Sequence, residues 1–405
     1  MHDVVVVGAG PGGSATAHFL AQRGLDVLLV DKFAFPRDKT CGDGLTPRAL
    51  RVLDSMGILG EVRRQAQPIR GYEVVAPNQR ATGAPIVGDY GALVIPRLQL
   101  DDMIRQRALS SGAQFEGRVN VSRLEPTAEG VTVHAEHGNR ARTIHARVAA
   151  IATGAATGVL TRSGILKRQP RAMLAMRAYF EDLHSIGDRF QLRFDGVPLP
   201  GYGWAFPMQH AAANVGVGYL PKGRSARTDA RGAYERFISG PAVSRLLEGA
   251  RQVAPAKGYP IRVDFLTAPT YAPRTLLVGE AAGLVNPLTG EGIDYALESG
   301  HMAAQHLLGC FATGEFVLEE YHRRLHARFD RLFRFCIRVR DWYCAPPLLN
   351  FLVVVANRRP ELRQLLTELV LGDRQPSDRG PVRMLAGLLL YLARPHPRLP
   401  TATLP

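Results

Sequence analysis

The sequence predicts an α/β fold with two domains, the second built on a mostly antiparallel β-sheet, and a helical carboxy-terminal arm. Three observations predict this fold. The chain opens with a strand, a Gly-rich turn and a helix; the same pattern returns near residue 280; and short alternating segments lie between the two. The length of 405 residues exceeds that of one typical core, so two domains are expected.

The composition is that of a globular enzyme. A hydrophobic content of 46% and a mean hydropathy of −0.05 exclude a disordered, collagen-like or polytopic membrane protein. The four cysteines are scattered without a CxxC pair, so neither a metal site nor a disulfide framework is predicted. The apolar run Val4 to Val7 begins too early for a signal peptide, so a cytoplasmic protein is expected.

The first motif predicts a Rossmann-like dinucleotide site. Val4 to Val7 reads as a buried strand, and Gly8, Gly10 and Gly13 follow it in GxGxxG spacing. These glycines allow a tight turn, close approach of a pyrophosphate, and close packing of the next helix. That helix, from about Pro11 to Arg23, directs its amino-terminal N–H groups at the phosphate.

An acidic residue completes this motif. Asp31 ends the second strand, 18 residues after Gly13, where its carboxylate can accept hydrogen bonds from a ribose. The spacing does not distinguish NAD from FAD.

A second strand, turn and helix follow near residue 280. Leu276 to Val278 reads as a strand, and a helix from about Ile293 to Leu308 follows the turn. Small residues in the turn let backbone N–H groups approach a cofactor, and the helix offers a positive dipole end to a reduced flavin. The turn residues of interest are Gly279, Glu280, Pro287, Gly290 and Gly292.

The region between the two motifs predicts a second sheet. Segments Gln191 to Phe194, Gly203 to Phe206 and Asn214 to Tyr219 alternate in the manner of strands. Aromatic residues at period two share one face of such a strand, and they form either a pocket wall or core packing. We favour the pocket wall, which consists of Tyr202, Trp204 and Phe206.

Three strings in addition to the two motifs resemble a known family. They are FPRDKTCGDGLTPRAL from Phe35, GYGWAFP from Gly201 and NPLTGEGIDYALESG from Asn286. Together they resemble the geranylgeranyl reductase family of FAD-dependent oxidoreductases, which has the p-hydroxybenzoate hydroxylase-type fold and includes bacterial menaquinone reductases. The resemblance covers roughly the first 320 residues.

The resemblance implies an enzyme that binds FAD and saturates C=C double bonds of an isoprenoid chain, geranylgeranyl or menaquinone-type, by hydride transfer from reduced flavin. It implies NAD(P)H or another reductant as a transient electron donor, because no second GxGxxG occurs between a strand and a helix. An electron-donor protein such as ferredoxin is the alternative source. The cofactor-binding residues implied are Gly8, Gly10, Gly13, Asp31, Arg97, Gly279, Glu280, Pro287, Gly290 and Gly292.

Cys41 is the catalytic residue that the resemblance implies. In the family this cysteine faces the flavin over the substrate site, where it would position the alkene or pass a proton. The alternative is a small loop residue without a chemical role. For Arg97 the alternative is a surface arginine before a helix.

The domain boundaries expected are discontinuous. Segments 1–70, 95–165 and 269–321 form the FAD-binding domain, 71–94 and 166–268 form the substrate domain, and 322–405 form the basic helical arm.

Three other functions remain open from the sequence. A flavin-dependent monooxygenase of an aromatic or polyketide substrate shares the cofactor motifs. The related monooxygenases carry a DG motif, however, where this chain has Ala152, Thr153 and Gly154. A flavin halogenase is disfavoured because that family uses a lysine between the cofactor turn and the middle of the chain, and here no lysine occurs between Lys39 and Lys167. A non-catalytic flavoprotein that tethers a lipid would bind FAD without turnover.

The carboxy-terminal arm concentrates the positive charge. Residues 322–405 contain 15 arginines, no lysine and 6 acidic residues, within a net charge of +14 for the whole chain. Apolar runs at Leu348 to Ala356, Leu365 to Leu371 and Met384 to Ala393 alternate with these arginines. The arm contacts the inner face of the cell membrane peripherally, packs on the core, or does both at once. A nucleic-acid partner is not expected because no binding motif accompanies the charge.

Overall fold

The computed structural model describes residues 1–138, 140–183, 185–342, 345–360 and 363, all within one compact unit, Met1–Asp373. The strands of this part of the chain are β1 His2–Val7, β2 Val27–Val30, β3 Gly44–Leu45, β4 Gln67–Ile69, β5 Gly71–Val75, β6 Ala81–Pro85, β7 Ala92–Val94, β8 Gln114–Glu116, β9 Val119–Pro126, β10 Val131–His137, β11 Arg140–Ile151, β12 Ala172–Glu181, β13 Arg189–Arg193, β14 Gly201–Met208, β15 Ala212–Tyr219, β16 Arg251–Gln252, β17 Lys257–Arg262, β18 Tyr271–Ala272 and β19 Thr275–Leu277. Its α-helices are α1 Pro11–Ala21, α2 Pro47–Ser55, α3 Leu59–Gln65, α4 Arg97–Ser110, α5 Gly158–Arg162, α6 Ala230–Ser239, α7 Pro241–Leu246, α8 Ile293–Thr313, α9 Glu319–Trp342 and α10 Pro346–Arg358.

The first large sheet is parallel at its centre. Its strand order is β18-β19-β11-β1-β2-β8, and β1 pairs in parallel with both β2 and β11. Residues Val4 to Val7 are buried on both faces of this sheet, as their β-branched run predicts. Helices α1 and α8 pack together so closely that a side chain at Gly300 would collide with the carbonyl of Gly12. The two Gly-rich turns therefore meet at one edge of the sheet.

The second large sheet is mostly antiparallel. Its order is β16-β12-β15-β14-β13-β5-β6, with β17 also paired to β12, and only β13 and β5 run in parallel. Together the two sheets confirm the predicted fold class. Short strands β3, β7 and β4 form a third sheet, and β3 begins directly after the loop that contains Cys41.

The long helix α9 carries the arginines of the predicted basic helix. Its apolar residues, among them Leu325, Phe329 and Phe333, are buried in the core of the FAD-binding region. The apolar face of α9 is thus covered by protein, and only its arginine face remains in solvent. The run Leu348 to Ala356 lies in α10, which contacts β6, whereas Leu365 to Leu371 and Met384 to Ala393 lie outside the described residues.

Among the helices of the described residues, none combines the length and apolar character needed to cross a bilayer.

Candidate active site

One cavity of about 630 Å³ runs between the two large sheets. Both Gly-rich turns, the loop Asp31 to Gly42 and the aromatic face of β14 line this cavity. A single space therefore brings together the residues of the two sequence motifs and the predicted pocket wall.

The first turn gives backbone access to the cavity. Gly8 has a φ of +104°, and a Cβ there would lie 2.5 Å from the carbonyl oxygen of Ala152. Gly8 and Gly10 line the cavity, while Gly13 lies behind the turn, where a side chain would collide with the Gly8 carbonyl. These positions are consistent with the roles of the three glycines in a dinucleotide turn.

Asp31 holds the first turn and the second strand together. Its side chain is 7% exposed, and its carboxylate accepts hydrogen bonds from the backbone N–H of Ala9 at 2.8 Å and of Phe33 at 2.9 Å. Asp31 also lines the cavity. The carboxylate therefore orders the turn and presents an acceptor to a ligand.

The second turn contributes Gly279, Glu280, Gly290 and Gly292 to the cavity wall. Gly279 and Gly290 have φ values of +61° and +70°, which favour glycine. Pro287 is buried outside the cavity lining, and its carbonyl accepts a hydrogen bond from Arg340 at 3.5 Å.

Glu280 links the second turn to the Cys41 loop. One of its carboxylate oxygens lies 3.5 Å from Lys39 Nζ, and the other accepts a hydrogen bond from the backbone N–H of Arg262 at 3.1 Å. Lys39 also lies 4.2 Å from the ring centroid of Tyr259. Burial disfavours the charge of Lys39, but the Glu280 carboxylate outweighs it and raises the pKa of the ammonium.

Arg97 is buried beside Cys41 rather than on the surface. It is the first residue of α4, is 3% exposed, and donates to both oxygens of Asp101 at 2.5 and 2.7 Å. Cys41 is among the groups whose negative charge would favour the charged form of this guanidinium. Burial opposes the charge, yet Asp101 raises the pKa of Arg97, so the group stays cationic. Cys41 itself is half-buried and lines the cavity.

The three aromatic residues of β14 line the same cavity. Ring centroids are 6.1 Å apart for Tyr202 and Trp204 and 6.4 Å apart for Trp204 and Phe206, as expected for residues on one face of a strand. Tyr202 donates to the carbonyl of Thr289, which ties the wall to the second turn.

Sequence reasoning missed a buried polar cluster beneath the Cys41 loop. Asp43 is fully buried, and one carboxylate oxygen accepts hydrogen bonds from Tyr179 Oη at 2.7 Å and from Asn214 Nδ2 at 2.8 Å. Asn214 donates in addition to the Cys41 carbonyl at 2.6 Å and accepts from Trp204 Nε1 at 2.9 Å. The only signal available in sequence was an aspartate between two glycines.

The geometry fits a dinucleotide cofactor. Arg37 Nη1 is buried without a hydrogen bond, although it lies 3.0 Å from Asp101 Oδ2, and the guanidinium lies 3.6 Å from the position of a Cβ on Gly10. A cation next to the Gly-rich turn is where a pyrophosphate requires one. In the described residues no group of three or more His, Cys, Asp or Glu side chains is arranged to hold a metal ion.

The parallel sheet with its Gly-rich turn and buried acid, covered by a second antiparallel sheet, defines a dinucleotide-binding protein. Residues 1–336 match the family described as FAD binding domain, and the chain belongs to this family.

Relatives of this chain include menaquinone reductase of Mycobacterium tuberculosis, 35% identical over 332 residues that cover 75% of this chain and 76% of the relative. Digeranylgeranylglycerophospholipid reductase 1 of Methanopyrus kandleri is 30% identical over 83% of this chain and 88% of the relative. These matches confirm the family resemblance.

The fold is shared with a geranylgeranyl bacteriochlorophyll reductase-like protein of Thermoplasma acidophilum, with a TM-score of 0.82, 22% identity, and coverage of 96% of this chain and 99% of that one. Flavin-dependent halogenases also have this fold, so the fold by itself does not determine the reaction.

Proposed function

We propose that this protein is an FAD-dependent reductase that saturates C=C double bonds in the polyprenyl chain of an isoprenoid lipid. The observation that carries the proposal is the single cavity in which the flavin-type turns, Cys41 and the aromatic wall meet. The named relatives support it, because menaquinone and the digeranylgeranyl lipid share only a polyprenyl chain as a reducible apolar moiety.

The cavity wall around the aromatic residues suits an apolar chain. Neighbouring strands contribute Met173, Ala175, Gly218 and Ile261 to the same lining, and all four are uncharged. Each isoprene unit has five carbons, so its burial contributes roughly 3 to 4 kcal/mol at about 0.8 kcal/mol per carbon group. A polyprenyl chain therefore binds here without polar contacts.

The residues that would hold FAD are those of the two turns, with Asp31 at the ribose and Arg37 and the Gly8 to Gly10 turn at the pyrophosphate. When bound and reduced, FAD supplies the hydride for alkene reduction. The chain's own residues orient the alkene against Trp204 and exclude water from the space between the sheets. Cys41 lines the cavity and would be the group that delivers the proton to the alkene, with water as the alternative donor.

The reductant and the membrane contact belong to the same proposal. NAD(P)H or an electron-donor protein would reduce FAD transiently. The arginine face of α9 would meet an anionic lipid surface in which the substrate resides.

The experiment that tests this function is anaerobic. The purified flavoprotein is reduced with dithionite and given either menaquinone or geranylgeranyl diphosphate, and the lipid is analysed by mass spectrometry. We expect a product heavier by two hydrogen atoms in the prenyl chain. Oxygen incorporation under air without that product would instead identify a monooxygenase.

A matched pair of variants locates the reaction in this cavity. Trp204→Ala removes part of the proposed chain-binding wall, whereas Phe180→Ala removes a buried aromatic residue of β12, in the same sheet, that does not line the cavity. We expect only the first variant to lose the reduced lipid while both retain FAD. Equal loss in both variants would assign the effect to stability.

A further inference from the structure

Asp43 lies at the one position of the Cys41 loop that is both strained and fully buried. Its φ is +66°, in the left-handed region that few side chains adopt, and its side chain is 0% exposed. The cost of this conformation and of burying a carboxylate requires compensation by specific contacts. Those contacts come from the second sheet, through Tyr179 on β12 and Asn214 on β15.

The Asn214 amide uses both of its N–H donors and its oxygen acceptor in this cluster. Its Nδ2 donates to Asp43 and to the Cys41 carbonyl, and its Oδ1 accepts from the indole of Trp204. Rotating the amide by half a turn would place its oxygen against the Asp43 carboxylate and its NH₂ against the indole N–H. The Asp43 carboxylate, together with the Cys41 carbonyl and the indole N–H, therefore selects the orientation of this amide.

We propose that Asp43 is a positioning residue of the active site, whose carboxylate orients the Asn214 amide and through it fixes both the Cys41 loop and the Trp204 wall. Cys41 and Trp204 both line the cavity, and a Cβ on Gly42 would lie 3.6 Å from Trp204 Nε1. One buried carboxylate thus sets the separation between the proton-bearing loop and the apolar wall. The proposal stands on these contacts and does not depend on which substrate the cavity accepts.

The protonation state of Asp43 changes near pH 6. Burial raises the pKa of Asp43 to about 6, although Tyr179, Arg177, Asn214 and Arg97 favour the anion. The titratable or charged groups that face Asp43 are Tyr179 and Arg177 of β12 and Arg97 of α4. Burial raises the pKa of Tyr179 above its ordinary value, so its hydroxyl stays neutral. Asp43 is the member of this cluster that gains a proton on mild acidification, on its Oδ1, which has no hydrogen-bond partner.

The test follows the indole N–H of Trp204 by NMR in the FAD-bound protein labelled with ¹⁵N-tryptophan. The sequence contains two tryptophans, and the Trp342→Phe variant assigns the two indole signals. We expect the Trp204 signal to shift with a midpoint near pH 6. Because this readout needs no substrate, it is independent of the proposed reductase activity.

Two variants separate charge from geometry. Asp43→Asn keeps an acceptor for Tyr179 and Asn214 but has no proton to gain, so we expect the Trp204 signal to lose its titration. Asp43→Ala removes the acceptor, so we expect the signal to move away from both wild-type end points. The control is Asp38→Asn, which changes an acid of the same loop that pairs with Arg177 and Lys257. Because this variant keeps the Asp43 carboxylate, its Trp204 signal should still titrate.

Three results would overturn the proposal. They are a Trp204 signal that still titrates in Asp43→Asn, a signal in Asp43→Ala that coincides with the wild type, and a wild-type signal that does not shift between about pH 4.5 and 8. The last result requires no variant, so the proposal can fail even if both substitutions prevent folding.

Discussion

Cys41 and Asp43 lie two residues apart on one loop, and the structure gives them opposite environments. Cys41 reaches the cavity beside the Arg97 guanidinium, whereas Asp43 turns away from the cavity into a polar cluster of the second sheet. The left-handed conformation of Asp43 produces this reversal. Two predictions at the scale of single residues follow from it.

Replacing Cys41 by Ala should slow turnover without loss of flavin. The thiol is the proton-bearing group that we place in the cavity, and general acid catalysis typically contributes 100-fold or more, so we expect a decrease of about 100-fold. Turnover of the reduced enzyme and flavin absorbance are measured together. The control is Cys310→Ala, on α8 and outside the cavity lining, which should keep its turnover; unchanged turnover in Cys41→Ala would remove this thiol from the mechanism.

The pH dependence of stability should change in Asp43→Asn. The pKa of Asp43 is raised from its reference value of 3.8 to about 6 in the folded protein. Protonation of Asp43 therefore stabilises the folded state of the wild type at low pH, and this stabilisation is lost as the pH rises to about 6. The shift corresponds to about 3 kcal/mol of unfolding free energy. Urea unfolding from pH 4 to pH 7 should show the wild type losing about this amount relative to the variant, and parallel curves would contradict the assignment.

Strands β14 and β15 determine the position of the aromatic wall at the scale of elements. Trp204 lies over Gly216 and Gly218 of the neighbouring strand, which leave space for its ring. A Cβ on Gly216 would collide with Trp204 and would lie 2.6 Å from the carbonyl oxygen of Met176, whereas a Cβ on Gly218 would meet Trp204 at 3.6 Å.

This difference predicts unequal effects of two matched substitutions. Gly216→Ala should displace Trp204 and destabilise the protein by about 1 to 3 kcal/mol, because overpacking forces a rigid strand and ring apart. Gly218→Ala makes ordinary contacts and should remain close to the wild type. Urea unfolding and the Trp204 fluorescence measure the two effects, and equal behaviour of both variants would refute the role of Gly216.

Helix α9 presents arginines on one side and packs aromatic residues on the other. Arg324, Arg331 and Arg338 are exposed at seven-residue spacing, while Arg328 turns inward and donates to Glu298 at 2.6 Å. The helical spacing of the arginines alone did not distinguish Arg328 from the exposed set.

Changing Arg324, Arg331 and Arg338 together to Gln should weaken binding to anionic liposomes by roughly tenfold or more. The charge-matched control changes three exposed arginines of α6 and α7, Arg231, Arg236 and Arg245, to Gln. Sedimentation with vesicles of phosphatidylglycerol should separate the two variants. An equal decrease in both would mean that total charge, not the α9 face, governs binding.

At the scale of the whole molecule, the cavity lies between the two large sheets. Its walls come from segments as distant in sequence as Gly8, Trp204 and Gly292. A cofactor that fills this space binds the folded chain alone, so it stabilises the fold by mass action.

Removing FAD should therefore lower the stability of the entire fold. With free FAD at 1,000 times its dissociation constant, linkage contributes about 4 kcal/mol to the free energy of unfolding. Calorimetry of the protein with and without FAD should show a lower melting temperature for the apoprotein and recovery on adding FAD back. Identical melting would contradict selective binding of FAD to the folded chain.

The sequence by itself determined the features that depend on neighbouring residues. The buried run Val4 to Val7, the glycine turn after it and the period-two aromatics of β14 all follow from local backbone geometry, and the structure has them as predicted. The fold class could be predicted for the same reason, since strand, turn and helix patterns are short-range.

Only the tertiary structure decided the contacts that join distant segments. Asp43 and Asn214 are 171 residues apart, and nothing in either neighbourhood indicates that one orients the other. Burial of Arg97 beside Cys41 and the inward turn of Arg328 were likewise decided by packing. The physical reason is that a buried charge or amide takes its partner from whichever element the fold places against it, and that choice is made between sheets and helices rather than along the chain.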